Sequence, residues 1–186
     1  KATPKVSFDT TEETATLTFP AAVKPGKHLL SIDYTGKINP HPSGLFALDY
    51  TDKSGAKKRA LFTPFENSDA RRFVPSWDEP NRKAVFDVTA TVPMRDLPNS
   101  NMPVATIEPL KSGMKRVHFM PSPKMSSYLL FFGTGDFERV SRKVDGVDIG
   151  VVFKRGDGNK AQYALDEAAK FLPYYEDYFG QKFPLP

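Results

Sequence analysis

The sequence contains no cysteine, so it has neither a disulfide framework nor a thiolate that could act as a nucleophile or metal ligand. It has only three histidines, which lie far apart at His28, His41 and His118. None belongs to a His-Glu-x-x-His pattern, which places two imidazoles on one helix face for zinc. Their spacing favours surface or structural roles, so we expect no metal to be bound by this chain.

Long apolar runs are missing as well. The longest strongly apolar run, residues 128–132, is far shorter than the roughly 20 residues that a membrane helix needs. No Gly-x-Ser-x-Gly elbow or phosphate-binding loop is present. The sequence therefore predicts no membrane span in this chain and offers no motif for serine hydrolysis or nucleotide binding.

The charge balance gives little support for nucleic acid as a partner. The formal net charge is +4, but 22 acidic residues are mixed with 26 basic ones along the chain. The densest basic cluster, residues 57–59, adjoins a turn and lacks interleaved aromatic residues that could stack on bases. We interpret this cluster as a solvated hairpin flank and expect no nucleic-acid partner.

Most of the chain consists of short alternating segments separated by proline, glycine and asparagine, which is typical of antiparallel β structure. Residues 14–19 and 28–34 alternate around Pro25-Gly26 and predict one hairpin. Residues 45–50 and 59–63 flank a turn that ends at Gly55 and predict a second hairpin. Further strands are predicted at residues 84–92, 102–107, 115–120, 128–132, 137–143 and 147–153.

The pattern changes to helical spacing after residue 156. Asn159 and Gln162 form a candidate capping pair, and Gly180 is a typical helix stop. We expect Pro173 to kink the helix or to end its first part. A β region followed by one aromatic helix predicts two domains, residues 1–150 and 151–186, with the second cut short. The start at Lys1 is consistent with a piece of a longer protein.

The most informative stretch is residues 62–86, which combines acids, arginines and aromatic residues between two predicted strands. Such irregular segments often carry function. Residue chemistry alone favours a structural crossover in which Asp69 caps a helical turn and an arginine pairs with an acid further on. The candidate pairs join Arg71 or Arg72 to Asp78 or Glu79.

The same stretch resembles three consecutive patterns of aminopeptidase N-like zinc peptidases: Thr-Gln-x-Glu-x-x-x-Ala-Arg, Pro-x-x-Asp-Glu-Pro and Lys-Ala-x-Phe. The resemblance covers essentially the whole chain, more weakly before Gly36, and ordered blocks of this kind are more specific than a single motif. The other similar blocks lie at residues 100–103, 123–132, 135–138, 174–180 and 183–186.

The resemblance implies a mainly β fold: a saddle-shaped, antiparallel, β-sandwich-like domain followed by the first helix of a truncated thermolysin-like catalytic domain. It implies that the parent protein is a zinc aminopeptidase that removes single residues from the free N-terminus of peptides. In that family a zinc-bound water attacks the first peptide bond while acidic residues hold the substrate ammonium. The zinc motifs are not in this chain, so we expect it to bind no zinc and to be inactive alone.

The resemblance also assigns site residues. By alignment with the Thr-Gln-x-Glu pattern, Glu66 binds the substrate amino group, and Pro64 replaces the glutamine that helps to line the same pocket. Proline lacks both the polar side chain and the backbone donor. The expected partners are the peptide N-terminus and the protein's own catalytic domain. Structural support of the Glu66 loop is predicted for Arg71, Trp77, Asp78 and Glu79.

A second hypothesis is a non-catalytic β-sandwich module that binds a protein or glycan partner. A free-standing module would not need the beginning of a catalytic domain. Because the resemblance extends through the helix to residues 183–186, it favours the aminopeptidase.

Overall fold

A computed structural model describes residues 2–186 and shows a mainly β chain with one long helix near its carboxyl end. These residues fall into two units, one ending at Gly36 and the other beginning at Lys37. Every strand pair in either unit is antiparallel. The prediction of an antiparallel β fold followed by a helix is confirmed. No helix within residues 2–186 combines the length and apolarity required to cross a membrane.

The first unit contains one hairpin, formed by β1 (Lys5–Asp9) and β2 (Thr14–Thr18). The Asp9 carboxylate stabilises the turn by accepting hydrogen bonds from the backbone N–H groups of Thr11 and Glu12, at 2.9 and 3.1 Å. The strand predicted at 14–19 is confirmed, but its predicted partner at 28–34 is wrong, because those residues form no strand. Alternation predicts a strand only where another edge supplies hydrogen bonds, and the described residues supply none to 28–34.

The second unit has three sheets. Their strand orders are β3-β4-β9-β6, β5-β8-β7 and β10-β11. The strands are β3 (Phe46–Thr51), β4 (Lys57–Phe62), β5 (Thr89–Pro93), β6 (Asn99–Ser100), β7 (Val104–Pro109), β8 (Met114–Phe119), β9 (Phe132–Thr134), β10 (Phe137–Val144) and β11 (Val147–Lys154).

The β3–β4 hairpin forms where the sequence predicts it. Asp52 begins the turn, and its Oδ1 accepts hydrogen bonds from the backbone N–H groups of Ser54 and Ala56 at 2.9 and 3.0 Å. Gly55 has φ +85°, a conformation that glycine adopts without a Cβ clash. The two strands pair from Phe46–Phe62 to Thr51–Lys57.

Two other predicted strands are partly wrong. The segment predicted at 84–92 makes only an isolated bridge from Ala84 to Met125 before β5 begins at Thr89. The segment predicted at 128–132 begins as a 3-10 turn, Ser127–Leu129, and β9 starts only at Phe132. Side-chain hydrogen bonds from the serines at 126 and 127 tie this segment to residues 78–80, which competes with strand pairing.

The helix, α1, extends over Gly158–Phe179. Its N-cap residue is Asp157, so the predicted Asn159–Gln162 capping pair is wrong, and the Gln162 amide instead donates to Asp166 at 2.9 Å. Pro173 lies inside the helix and does not end it. Gly180 ends it with φ 62°, as predicted. The helix packs against β10 and β11 and buries two apolar side chains, Ala161 and Leu165.

Candidate functional site

The predicted site residues lie in the irregular segment that follows β4. Thr63 fixes the start of this segment because its backbone N–H and hydroxyl both donate to the Phe132 carbonyl, at 3.0 and 3.1 Å. The N–H of Phe132 donates back to Thr63 Oγ1 at 2.7 Å. Pro64 follows and is exposed, and the absence of an N–H removes a donor at that position.

Phe65 and Glu66 are adjacent but have opposite environments. The Phe65 side chain is 2% exposed and belongs to a core cluster with Ala70 and Leu130, while Glu66 is exposed. The Phe65 ring also packs against Phe73 with 5.4 Å between centroids. An exposed carboxylate therefore follows directly after a buried aromatic anchor, and the peptide bond after Glu66 is cis.

A 3-10 turn, Ala70–Arg72, ends the loop that carries Glu66. The backbone N–H of Asp69 donates to the Phe65 carbonyl at 3.0 Å, and Ala70 is fully buried. Asp69 occupies the N-cap position, but its side chain makes no capping hydrogen bond and instead accepts one from Arg72 Nε at 3.0 Å. The loop is thus closed by a local backbone bond and by burial on both sides of Glu66.

Arg71 and Asp78, two of the predicted supporting residues, form an ion pair. Arg71 donates to Asp78 Oδ2 from its backbone N–H at 3.1 Å and from Nε at 2.9 Å. The Asp78 side chain is only 5% exposed. Asp78 Oδ1 accepts a further hydrogen bond from the Ser127 hydroxyl. A buried carboxylate therefore connects the turn after Glu66 to the turn at Ser127–Leu129.

A second contact reinforces this connection. The Ser126 hydroxyl donates to the Pro80 carbonyl at 2.6 Å. Ala84 and Met125 exchange two backbone hydrogen bonds of 3.0 Å each. Residues 78–84 are consequently fastened along residues 125–127. The sequence singled out Asp78 in this arrangement but missed Ser126 and Ser127, for which the only signal was their place in the block at 123–132.

The structure does not bring the other two predicted supporting residues into this cluster. Trp77 is 72% exposed, and Glu79 is also exposed. Within residues 2–186, neither side chain makes a hydrogen bond, and Glu79 makes no ion pair. Only the backbone carbonyl of Glu79 is engaged, by the N–H of Arg82 at 2.8 Å.

The histidines do not converge on a metal site. His28 Nε2 lies 2.7 Å from the Lys24 carbonyl oxygen, and His118 Nε2 lies 2.6 Å from Asp87 Oδ1. Over the part of the chain that the structure describes, no group of three or more His, Cys, Asp or Glu side chains could hold a metal ion. These residues therefore do not fit a zinc centre.

Asp136 is the centre of a separate charged cluster. It is 9% exposed and lies near the cations of Arg155, Lys58 and Arg95, at 2.7, 3.0 and 3.2 Å. The hydrogen bond from the Arg155 guanidinium is the main cause that lowers the pKa of the Asp136 carboxyl. Because Asp136 pairs both with Lys58 of β4 and with Arg155, which follows β11, we interpret the cluster as a structural connection between β4 and the end of β11.

The second unit has an apolar groove of about 510 Å³. Strands β4, β5 and β9 contribute to its lining, together with Phe73 and Leu130 from the Phe65 cluster. Asp96 is its only acidic residue, and burial raises the pKa of this carboxyl. None of the six predicted site residues lines the groove.

Comparison with known proteins identifies the family. The model of the peptidase M1 N-terminal domain matches residues 1–129. Aminopeptidase N of Acetobacter pasteurianus is 46% identical over 181 residues, which cover 97% of this chain and 51% of that protein. The puromycin-sensitive aminopeptidase of Caenorhabditis elegans is 36% identical over 184 residues, covering 98% and 19%. Aminopeptidase M1-C of Oryza sativa subsp. japonica is 36% identical over 183 residues, covering 98% and 21%.

The chain therefore belongs to the peptidase M1 family and contains its N-terminal domain. The family is one of aminopeptidases, which are hydrolases and are generally zinc-dependent. The chain spans about half the length of the relative from Acetobacter and about a fifth of the other two.

Proposed function

We propose that this chain is part of an aminopeptidase that removes single residues from the free N-terminus of peptides, and that Glu66 binds the substrate amino group. The observation that carries the proposal is the position of Glu66. Its exposed carboxylate lies between the buried residues Phe65 and Ala70, on a loop fixed by the Thr63–Phe132 hydrogen bonds. A carboxylate on a loop whose backbone is already held can form a charge-assisted hydrogen bond with an ammonium group.

Pro64 shapes the same subsite in this proposal. It is exposed two residues before Glu66 and offers the substrate neither a side-chain polar group nor an N–H. The amino group of the peptide therefore depends more strongly on the Glu66 carboxylate. In this proposal Glu66 is the charge by which this chain contributes to discrimination between a free and a blocked N-terminus.

The proposal also covers domain organisation. Residues 1–150 form the amino-terminal β domain, and residues 151–186 begin the catalytic domain, whose remainder supplies the zinc ligands. The exposed aromatic side chains of α1 support this organisation, because an apolar helix face requires a covering partner. They include Phe171, Tyr174, Tyr175, Tyr178 and Phe179, all at least 50% exposed. The 186-residue chain alone binds no zinc and is inactive.

The test is Glu66→Ala in the complete enzyme. We expect kcat/KM on peptides with a free N-terminus to fall about 10- to 100-fold, because a hydrogen bond to a charged group contributes about 1.5–3 kcal/mol. Zinc content should be unchanged, since Glu66 is not a metal ligand in this proposal. Glu12→Ala is the matched control, because Glu12 is also an exposed loop glutamate. Wild-type kinetics for Glu66→Ala would exclude Glu66 from the site.

A further inference from the structure

We propose that Ser127 is a positioning residue for Glu66, acting through the buried Asp78 carboxylate. This inference rests on the proposed function, because it concerns the same amino-group subsite. Ser127 is 2% exposed, and its hydroxyl donates a hydrogen bond to Asp78 Oδ1. It follows that the hydroxyl does not contact the substrate and acts only on the geometry of the loop.

The Asp78 carboxylate connects two turns of the chain. Its two oxygens receive hydrogen bonds from two different turns: Oδ2 from the backbone and side chain of Arg71, and Oδ1 from Ser127. A carboxylate at 5% exposure has little access to water, so each lost donor leaves an oxygen poorly solvated. The Asp78 position, and with it the turn at Ala70–Arg72, therefore depends on Ser127.

The Ala70–Arg72 turn is itself connected to the Glu66 loop. Glu66 lies between Phe65 and the Ala70–Arg72 turn, and the Asp69 N–H bond to the Phe65 carbonyl closes the loop between them. Phe65 packs in one cluster with Leu130, whose own N–H donates to the Ser127 carbonyl at 3.0 Å. Both flanks of Glu66 thus rest on residues 127–130, one through an apolar contact and the other through Asp78.

Removal of the Ser127 hydroxyl should shift the Glu66 loop while leaving its residues intact. Displacement of a binding group by about 1 Å can cost a factor of up to about 100. The effect should be specific to the substrate amine, because the carboxylate is the group that moves. Loss of a residue that only stabilises the fold would instead weaken the binding of all active-site ligands alike.

The experiment uses the complete enzyme and two competitive inhibitors that differ only in the α-amino group, a dipeptide analogue and its des-amino counterpart. The readout is the ratio of their inhibition constants. We expect Ser127→Ala to reduce the preference for the amine about 5- to 30-fold and Glu66→Ala to reduce it further. In Glu66→Ala/Ser127→Ala the ratio should equal that of Glu66→Ala alone, because the two residues act through one contact.

Ser122→Ala is the matched control, because Ser122 is also a buried, hydrogen-bonded serine but does not contact Asp78. It should leave the inhibitor ratio unchanged. If Ser127→Ala does not fold, Asp78→Asn replaces it, since an amide oxygen can still accept from the Arg71 backbone. Unchanged ratios, equal weakening of both inhibitors, or an additive double variant would overturn the role of Ser127. If Glu66→Ala itself leaves the ratio unchanged, the proposed function fails, and this inference fails with it.

Discussion

Phenylalanine has opposite environments at the candidate site and at the end of α1. Phe65 is 2% exposed and packs against Phe73, Ala70 and Leu130. Phe179 is 70% exposed, and its ring contacts are with neighbours on the same helix, Tyr175 and Tyr178, at 6.0 and 5.0 Å. The residues that pack around the Glu66 loop are therefore present in this chain, whereas the outer face of α1, formed by its exposed aromatic side chains, stays at least half exposed within residues 2–186.

The two regions therefore differ in how far residues of this chain hold them in place. The Glu66 loop has an apolar anchor in Phe65 and a polar one in Asp78, so its geometry is set by residues of this chain. The helix is held by its inner face, where Ala161 and Leu165 are buried, and by the Arg142–Asp166 ion pair from β10. Its outer aromatic side chains contribute little burial, so little stability is expected from them here.

The largest effect is expected for Phe65→Ala. Truncation of a fully buried phenylalanine costs about 3–5 kcal/mol, because it removes apolar burial and leaves a cavity. We expect the free energy of unfolding of the 186-residue chain to fall by that amount, measured by urea denaturation. Phe65→Leu keeps most of the volume and should cost less than half as much. A loss below about 1 kcal/mol for the alanine variant would show that the anchor is not packed as described.

The Asp136 cluster should give an intermediate effect. Asp136→Asn removes the charge that faces Arg155, Lys58 and Arg95, and we expect a loss of roughly 1–3 kcal/mol near neutral pH. The folded-state pKa of Asp136 lies below its ordinary value of 3.8. Its stabilisation is therefore present above that value and is lost as the pH falls through the lower folded pKa.

The pH dependence gives the check on that prediction. Unfolding free energies of wild type and Asp136→Asn should differ most at neutral pH and converge as the pH falls below 3.8. Other carboxyls with a lowered pKa titrate in the same acidic range, but their contributions are common to both proteins. A difference that is constant from pH 7 to pH 2.5 would mean that the lost interaction is not electrostatic.

The sequence was sufficient where local patterns decide the structure. Helical spacing and Gly180 predicted α1 and its end, and a turn with Gly55 predicted the β3–β4 hairpin. It failed at residues 28–34, where alternation alone cannot show whether a partner edge exists. The prediction of the N-cap residue was also wrong. Asp157 and Asn159 are both of types that commonly cap helices, and the choice between them depends on where β11 ends.

The candidate site was predictable only in part. The pairing of Arg71 with Asp78 was one of the options that the sequence allowed, since the two residues are seven positions apart. The contact of Asp78 with Ser127 joins residues 49 positions apart, and no local spacing rule reaches that far. Glu66 itself was found through family resemblance, and its role stays a prediction until the amine-specific kinetics are measured.

The smallest effect in this chain is expected for Phe179→Ala, the same substitution as Phe65→Ala at the opposite end of the comparison. Because the side chain is 70% exposed, we expect the free energy of unfolding of the 186-residue chain to change by less than about 0.5 kcal/mol. In the complete enzyme the same variant should be clearly destabilising, by about 2 kcal/mol or more, if the rest of the catalytic domain covers α1.

Parallel denaturation of the two lengths of protein separates these cases. Equal, small losses in both would leave the outer face of α1 uncovered and contradict the proposed boundary at residue 150. A loss of unfolding free energy in the 186-residue chain as large as that of Phe65→Ala would contradict the exposed position of Phe179, because an exposed ring on a helix has few contacts to lose. Only a loss that appears with the longer chain fits a helix whose partner lies beyond these residues.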